Sequence, residues 1–261
     1  MKKIAICFGL LFMMLASFKV VTQGFYGDVN GDGVVNISDV NAVIGVILSD
    51  NVPTPPPPPV DEHEWVDLGL PSGTLWATMN VGASSPNDCW KYFAWGEITS
   101  KRVYNWNTYK WCNGDWDSLT KYNVRDGRAD GKTELEPQDD PAYVNWGPSW
   151  RTPTREQLKE LAEKCTWKWT TINAVHGYQV TGSNGNTMFL PAAGICSGKM
   201  LLPTGEGYYW SRTLYTETEP DSQGNNSLDS YNLYFRLGLV SGESHFGRTL
   251  GFSVRAVRVP Q

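Results

Sequence analysis

Residues 28–39 read Asp-Val-Asn-Gly-Asp-Gly-Val-Val-Asn-Ile-Ser-Asp. Asp28, Asn30 and Asp32 place side-chain oxygens at alternate positions, and Val34 adds a backbone carbonyl. Asn36 supplies a further oxygen, directly or through a water, and Asp39 closes the stretch with a carboxylate. A hard divalent cation that collects about six to eight oxygens wraps a loop of this spacing around itself. The sixth position must turn sharply, and Gly33, lacking a Cβ, tolerates the positive φ required there. These six residues are therefore predicted ligands of one calcium ion. A plain Asn/Gly/Asp turn has no need of an oxygen at each of these positions.

A second stretch suggests recognition of a ligand. Between 104 and 122, Tyr104, Trp106, Tyr109, Trp111, Trp116 and Tyr122 alternate with Asn105, Asn107, Asn113, Asp115 and Asp117. Flat aromatic faces beside amides and carboxylates suit a sugar ring, which is apolar on one face and hydroxylated at its edge. The same aromatics would equally pack a long insertion. Asn113-Gly114 predicts an exposed turn, so the candidate contact residues are Trp106, Trp111, Asn113, Asp115 and Trp116.

Catalytic patterns are weaker. Asp139-Asp140 is a carboxylate pair, but adjacent positions beside prolines suit turn capping or a structural ion better than glycoside hydrolysis. Gly242-Glu243-Ser244-His245-Phe246 stops one glycine short of a Gly-x-Ser-x-Gly elbow and falls among strands rather than at a strand-to-helix turn. His63, His176 and His245 stand singly. The stretch Asp126–Glu134 puts Arg128 at a ligand position and Pro137 at the twelfth, which argues against a second calcium loop. Glu219-Pro220-Asp221 reads as an acidic proline turn. No catalytic constellation emerges, and a non-enzymatic chain is expected.

These groups need elements to hold them. With 261 residues the chain can bury one sizeable core plus appendages, and a net charge of −5 argues against a nucleic-acid partner. Met1-Lys2-Lys3 before the apolar run Ile4–Ala16 reads as a secretory signal peptide ending by residue 24, too short to span a bilayer. Export leaves Cys89, Cys112, Cys165 and Cys196, whose pairing spacing alone does not decide. The calcium loop occupies a small module at 25–51. Ile37, Val40, Val43, Ile44, Ile47 and Leu48 recur in it at helical spacing, an apolar stripe suited to a partner. The proline run at 52–60 is a stiff spacer that advances about 3.1 Å per residue. The main domain, 61–261, holds all 12 tryptophans.

That domain is predicted to be α+β: a loop-rich antiparallel sheet with one main helix. The helix opens at Thr154, which with Gln157 forms a capping box, and buries Leu158, Leu161, Ala162 and Cys165. Strands are expected at Trp167–Ile172, Gly177–Thr181, Thr187–Leu190, Tyr208–Arg212, Tyr231–Arg236 and Phe252–Val259, with Asn184-Gly185 turning one hairpin.

Two resemblances follow from these residues. The loop at 28–39, closed by Asp39 and followed by a helix, resembles one repeat of a type I dockerin. That implies calcium binding and docking to a cohesin-like module, although such domains carry two repeats and this chain has one. Glu64–Thr78, Tyr92–Glu97, Trp150–Thr154, Phe189–Gly194 and Gly207–Ser211 occur in order and resemble the Fibrobacter succinogenes major paralogous domain family. Its Trp-Arg-x-Pro-Thr helix entry and closing Gly-Phe-x-x-Arg strand are similar to the C-type-lectin-like fold and to formylglycine-generating enzymes. The resemblance implies that fold and an exported or cell-surface setting. Oxidase chemistry would need a cysteine pair that the closing segment lacks. The expected function is carbohydrate binding at the cell surface or outside the cell, on a calcium-bound tether to a polysaccharide-processing assembly. The alternatives are a structural or adhesive subunit that self-associates through the 37–48 helix, and an enzyme of the formylglycine-generating or polysaccharide-degrading type.

Overall fold

The computed structural model describes residues 27–30, 34–48, 63–89, 91–124, 129–202, 205–216 and 228–258. The segment read as a signal peptide, the proline run, Asp32 and Gly33 of the 28–39 loop, and Glu219-Pro220-Asp221 lie outside these residues. The chain divides into two units, 1–60 and 61–261. In the first, α1 (Ile37–Leu48) follows the loop. Asn36 starts it by accepting the Ser38 amide on Oδ1 at 2.7 Å, satisfying a donor that the first helical turn leaves without a partner. The stripe residues Ile37, Val40, Val43 and Ile44 are all exposed.

The second unit is mixed α and β, rich in loops, with antiparallel pairing throughout its ladders. β1 (Trp65–Asp67) and β2 (Leu75–Ala77) open it, and β11 (Val257–Arg258) returns from the far end to pair with β2. A long excursion then leads to α2 (Pro141–Trp146) and α3 (Arg155–Lys164). The meander β3 (Thr166–Ile172), β4 (Val175–Thr181) and β5 (Thr187–Pro191) follows, then a small hairpin, β6 (Ile195–Ser197) and β7 (Met200–Leu202). β8 (Gly207–Leu214), β9 (Asp229–Arg236) and β10 (Leu239–Gly247) form the third three-stranded sheet.

Two apolar clusters unite these pieces. One joins Leu158 and Leu161 of α3 to Trp76, Tyr178, Leu190, Tyr209, Leu233 and Phe235. The other gathers Phe93, Trp95, Tyr122, Trp150, Trp210 and Phe252. Two buried arginines replace ladder bonds where the backbone is irregular. Arg255 donates to Asn80 Oδ1, Ala77 O and Phe189 O, tying the opening strand and the meander to the closing segment. Arg248 does the same for the long excursion through Tyr109, Tyr122 and Lys121.

The Thr154–Gln157 capping box is present in both directions. Leu158 and Leu161 are buried as expected, whereas Cys165 is the half-buried C-terminal cap. Besides the expected helix, the domain holds the six-residue α2, too short to leave a periodic pattern and started by Asp140 ahead of Pro141. Of the described residues in the expected Phe252–Val259 strand, only Val257 and Arg258 join a ladder, while Phe252 and Ser253 make isolated bridges to Phe93 and Tyr209; Val259 lies outside the described residues. Asn184-Gly185 does lie in the β4–β5 turn, but the loop closes through Gly182 N to Asn186 O, with Gly185 at φ +87°. The two-residue turn with both central residues at positive φ is Asn173-Ala174, between β3 and β4. The four cysteines are free thiols, so no pairing arises. Burial pushes the Cys165 and Cys196 thiols up to about 11.

Candidate functional site

The 28–39 loop is pulled together by its last residue. Asp39 is buried, and its Oδ1 accepts the amides of Val29 (2.8 Å) and Asn30 (3.2 Å) while Oδ2 accepts that of Asn36 (2.7 Å). Those bonds, the Asn36 amide first, hold the carboxyl below its usual value against the burial that opposes them. The backbone at Val29 and Asn30 is thus tied to the first turn of α1. Asn36 also donates from Nδ2 to Val34 O at 3.4 Å. The donors are all oxygen, the type a hard cation takes, and those of Asp39, Asn36 and Val34 accept bonds from the loop itself. Asp32 is outside the described residues.

The 104–122 segment divides into a buried base and an exposed tip. Tyr104, Tyr109 and Tyr122 are core residues: their hydroxyls donate to Tyr92 O (2.7 Å), Trp95 O (2.8 Å) and Asp139 Oδ2 (2.8 Å). Burial pushes the Tyr104 phenol up to about 12. Trp111 does not stand at an exposed tip. It is half-buried against the core, its Nε1 donates to Gly96 O at 2.8 Å, and the Lys110 and Lys121 ammoniums lie 4.1 and 4.9 Å from its ring centroid. A ring held in this way is a packing residue, because its faces carry lysines where a sugar would stack.

The tip is residues 112–119, closed by the Cys112–Leu119 bridge and by Asn113 N to Ser118 O at 3.1 Å. Within it, Asp115 Oδ1 accepts the Asp117 amide at 2.9 Å, an Asx turn that presents Trp116 outward at 40% exposure. A Cβ on Gly114 would lie 3.9 Å from Asn107 Oδ1, so the tip leans on the Trp106–Thr108 turn. Trp106 packs edge-on against Tyr109 at 5.7 Å, and its carbonyl accepts the Cys112 thiol at 3.1 Å. Trp106, Asn107, Asn113, Asp115 and Trp116 therefore share one corner of the domain, and Trp111 packs at its base.

Beneath that corner lies a network that spacing does not reveal. Asp139 is buried and accepts Lys121 Nζ at 2.5 Å, Lys110 Nζ at 3.3 Å and the Tyr122 hydroxyl. Lys121 also pairs with Glu136, as does Lys132. Burial opposes the charge on Lys121, but hydrogen bonds to Asp139 and Glu136 outweigh it and hold the ammonium above its ordinary value. The same lysines, Lys121 first, bring Glu136 down to about 2.

Arg248 closes the set from β10's end. It is fully buried and donates from Nε to Tyr109 OH (2.8 Å), from Nη1 to Tyr122 O (2.8 Å) and from Nη2 to Lys121 O (2.9 Å).

The carboxylate pair acts as structure. Asp140 caps α2 through the Ala142 and Tyr143 amides and accepts both the amide and the hydroxyl of Thr152. Asp130, in the Asp126–Glu134 stretch, accepts the Tyr122, Asn123 and Lys132 amides. The histidines are stacked rather than clustered: His63 on Trp146, His176 on Trp169 and His245 on Tyr215. Ser244 lies within β10, and its neighbour Glu243 pairs with Arg155 and Lys159. Among the described residues no group of three or more His, Cys, Asp or Glu side chains is gathered as for a metal. No described helix is long and apolar enough to cross a membrane. No protein family, curated protein or solved structure matches this chain.

Proposed function

We propose that this chain is an exported, non-enzymatic binding module of the C-type-lectin-like kind, a member of the Fibrobacter succinogenes major paralogous domain family. It takes carbohydrate at the corner formed by Trp106, Asn113, Asp115 and Trp116. The observation that supports this reading is Trp116: an exposed indole beside amide and carboxylate groups, on a turn whose base is anchored to the core by Arg248 and Tyr109. A preformed corner of this kind binds without first paying to order a loop. Asp115 and Asn113 offer oxygens and an amide to ring hydroxyls, and Trp116 offers a face to the C–H side of a sugar.

The module at 25–51 is a dockerin-like tether in which Asp28, Asn30, Asp32, Val34, Asn36 and Asp39 hold calcium. The ion would supply positive charge where the carboxylates of the loop converge. The test is binding of the mature chain to arrayed glycans, with Trp116→Ala and Trp106→Ala as probes. Loss of binding in both variants without loss of folding supports the corner. Unchanged binding refutes it.

A second reading is favoured by α1. Ile37, Val40, Val43 and Ile44 are exposed on a single 12-residue helix, a length that is marginal alone in water. Assembly through that stripe, with a cohesin-like partner or another copy, predicts calcium-dependent growth in sedimentation coefficient. A monomer with and without calcium counts against self-association.

A further inference from the structure

A second polar cleft, distinct from the Trp116 corner, lies between the 81–82 turn, the 98–100 turn and α2, and encloses about 280 Å³. That is near the lower limit for small-ligand sites and is room for roughly one sugar ring. Lys91 stands at its edge. A Cβ built on Gly82, at φ +78°, would lie 2.9 Å from Lys91 Cγ, so the lysine stem is laid along the bare glycine backbone. Both sides of this arrangement are fixed to the closing segment: Val81 N donates to Val254 O at 2.9 Å, and Phe93 exchanges amide bonds with Phe252.

The opposite wall is equally fixed. Asn145 spends both Nδ2 hydrogens, on Ile98 O (3.1 Å) and Pro141 O (2.7 Å), which leaves its Oδ1 as an acceptor for the cleft. Phe93 and Ile98 supply the apolar lining. Lys91 and the Thr99 hydroxyl make no hydrogen bond or ion pair with any described residue. Among the described residues, the cleft thus combines an ammonium without a counter-charge, a hydroxyl without a partner, a side-chain carbonyl and an apolar patch.

We propose that this cleft binds an acidic sugar, its carboxylate on Lys91 and its hydroxyls on Thr99 and Asn145 Oδ1. The proposal rests on the carbohydrate reading above and specifies a charge class for it. A neutral sugar would leave the ammonium without a counter-charge, and a bare inorganic anion would use neither the acceptor nor the apolar lining.

The test follows backbone amide shifts of the mature chain during titration with digalacturonate and, separately, with neutral digalactose. The expected result is that digalacturonate shifts the amides of Gly82, Lys91 and Ile98–Ser100. Its affinity should fall roughly tenfold in Lys91→Gln, the scale of one charge-assisted hydrogen bond, and weaken with added salt. Digalactose should leave those amides in place. Equal affinity of Lys91→Gln and the parent for digalacturonate, or no shift of those amides, overturns the proposal. Neutral-glycan binding lost in Trp116→Ala alongside a silent cleft would sink this proposal alone. Lys91-dependent binding alongside a Trp116→Ala variant that binds every glycan normally would sink only the corner.

Discussion

Arg248→Lys should loosen the candidate corner without touching it. The guanidinium presents three donors to three fixed acceptors: Tyr109 OH, Tyr122 O and Lys121 O, each at 2.8–2.9 Å. Lysine keeps the charge but offers a single nitrogen at the end of a shorter reach, and satisfies one of these acceptors at best. Two acceptors are left in or beside the core, at about 1–3 kcal/mol each, so the domain should lose about 2–6 kcal/mol. For a unit of this size, about 2–4 °C of melting temperature accompanies each kcal/mol, which predicts a drop of roughly 4–24 °C. The loss should also be local. Hydrogen exchange should accelerate first at Trp111–Leu119, whose base hangs on these bonds, and only later in the β8–β10 sheet. Guanidinium denaturation with residue-resolved exchange reads both effects. A loss below about 0.5 kcal/mol, the range of ordinary surface changes, or exchange that rises evenly across the domain, would refute the assignment of Arg248 as the anchor.

Three further outcomes follow from the same geometry. Trp116→Ala should stay within about 0.5 kcal/mol of the parent in chemical denaturation, whereas Trp111→Ala, which loses buried area and the bond to Gly96 O, should cost about 3 kcal/mol. Asp39→Ala should abolish a single calcium-binding isotherm in calorimetry of the full chain. Because amide bonds hold the Asp39 carboxyl below its ordinary 3.8, its contribution is complete above that value and disappears as pH falls through the folded one, so NMR signals of Ile37–Ile44 should collapse only in acid. Gly182→Ala should prevent folding or cost at least about 3 kcal/mol, since the new Cβ would sit 2.0 Å from Leu68 O, a backbone atom that cannot move aside; thermal melts decide it.

Local chemistry was legible in the sequence and long-range closure was not. Thr154 and Gln157 announce the helix start because a capping box is complete within four residues. The strands of the meander are visible because their β-branched and aromatic residues lie in short unbroken runs. α2 leaves no such trace: six residues carry no period, and only the Asp-Pro pair at 140–141 marks it. The closing segment misleads because Phe252 and Val254 alternate like a strand while their partners come one at a time from residues far away in the chain.

The same limit explains the site. Alternation of aromatic and polar residues at 104–122 indicates recognition and packing equally well. Only the tertiary partners Gly96, Lys121 and Arg248 separate Trp111, which packs, from Trp116, which projects. Lys91 could not have been singled out at all, since its role depends on Gly82 and α2. Asp139 and Asp140 went the other way: turn chemistry beside prolines already indicated capping, and Asp140 does cap α2, while Asp139 serves the lysine network.

The most direct test of the central claim is a glycan array probed with the mature chain and with Trp116→Ala, each with calcium and with EDTA. The account predicts binding by the parent that survives EDTA, because the corner holds no calcium loop, and that disappears in Trp116→Ala. Binding that Trp116→Ala leaves intact, or no glycan bound under either condition, would contradict it.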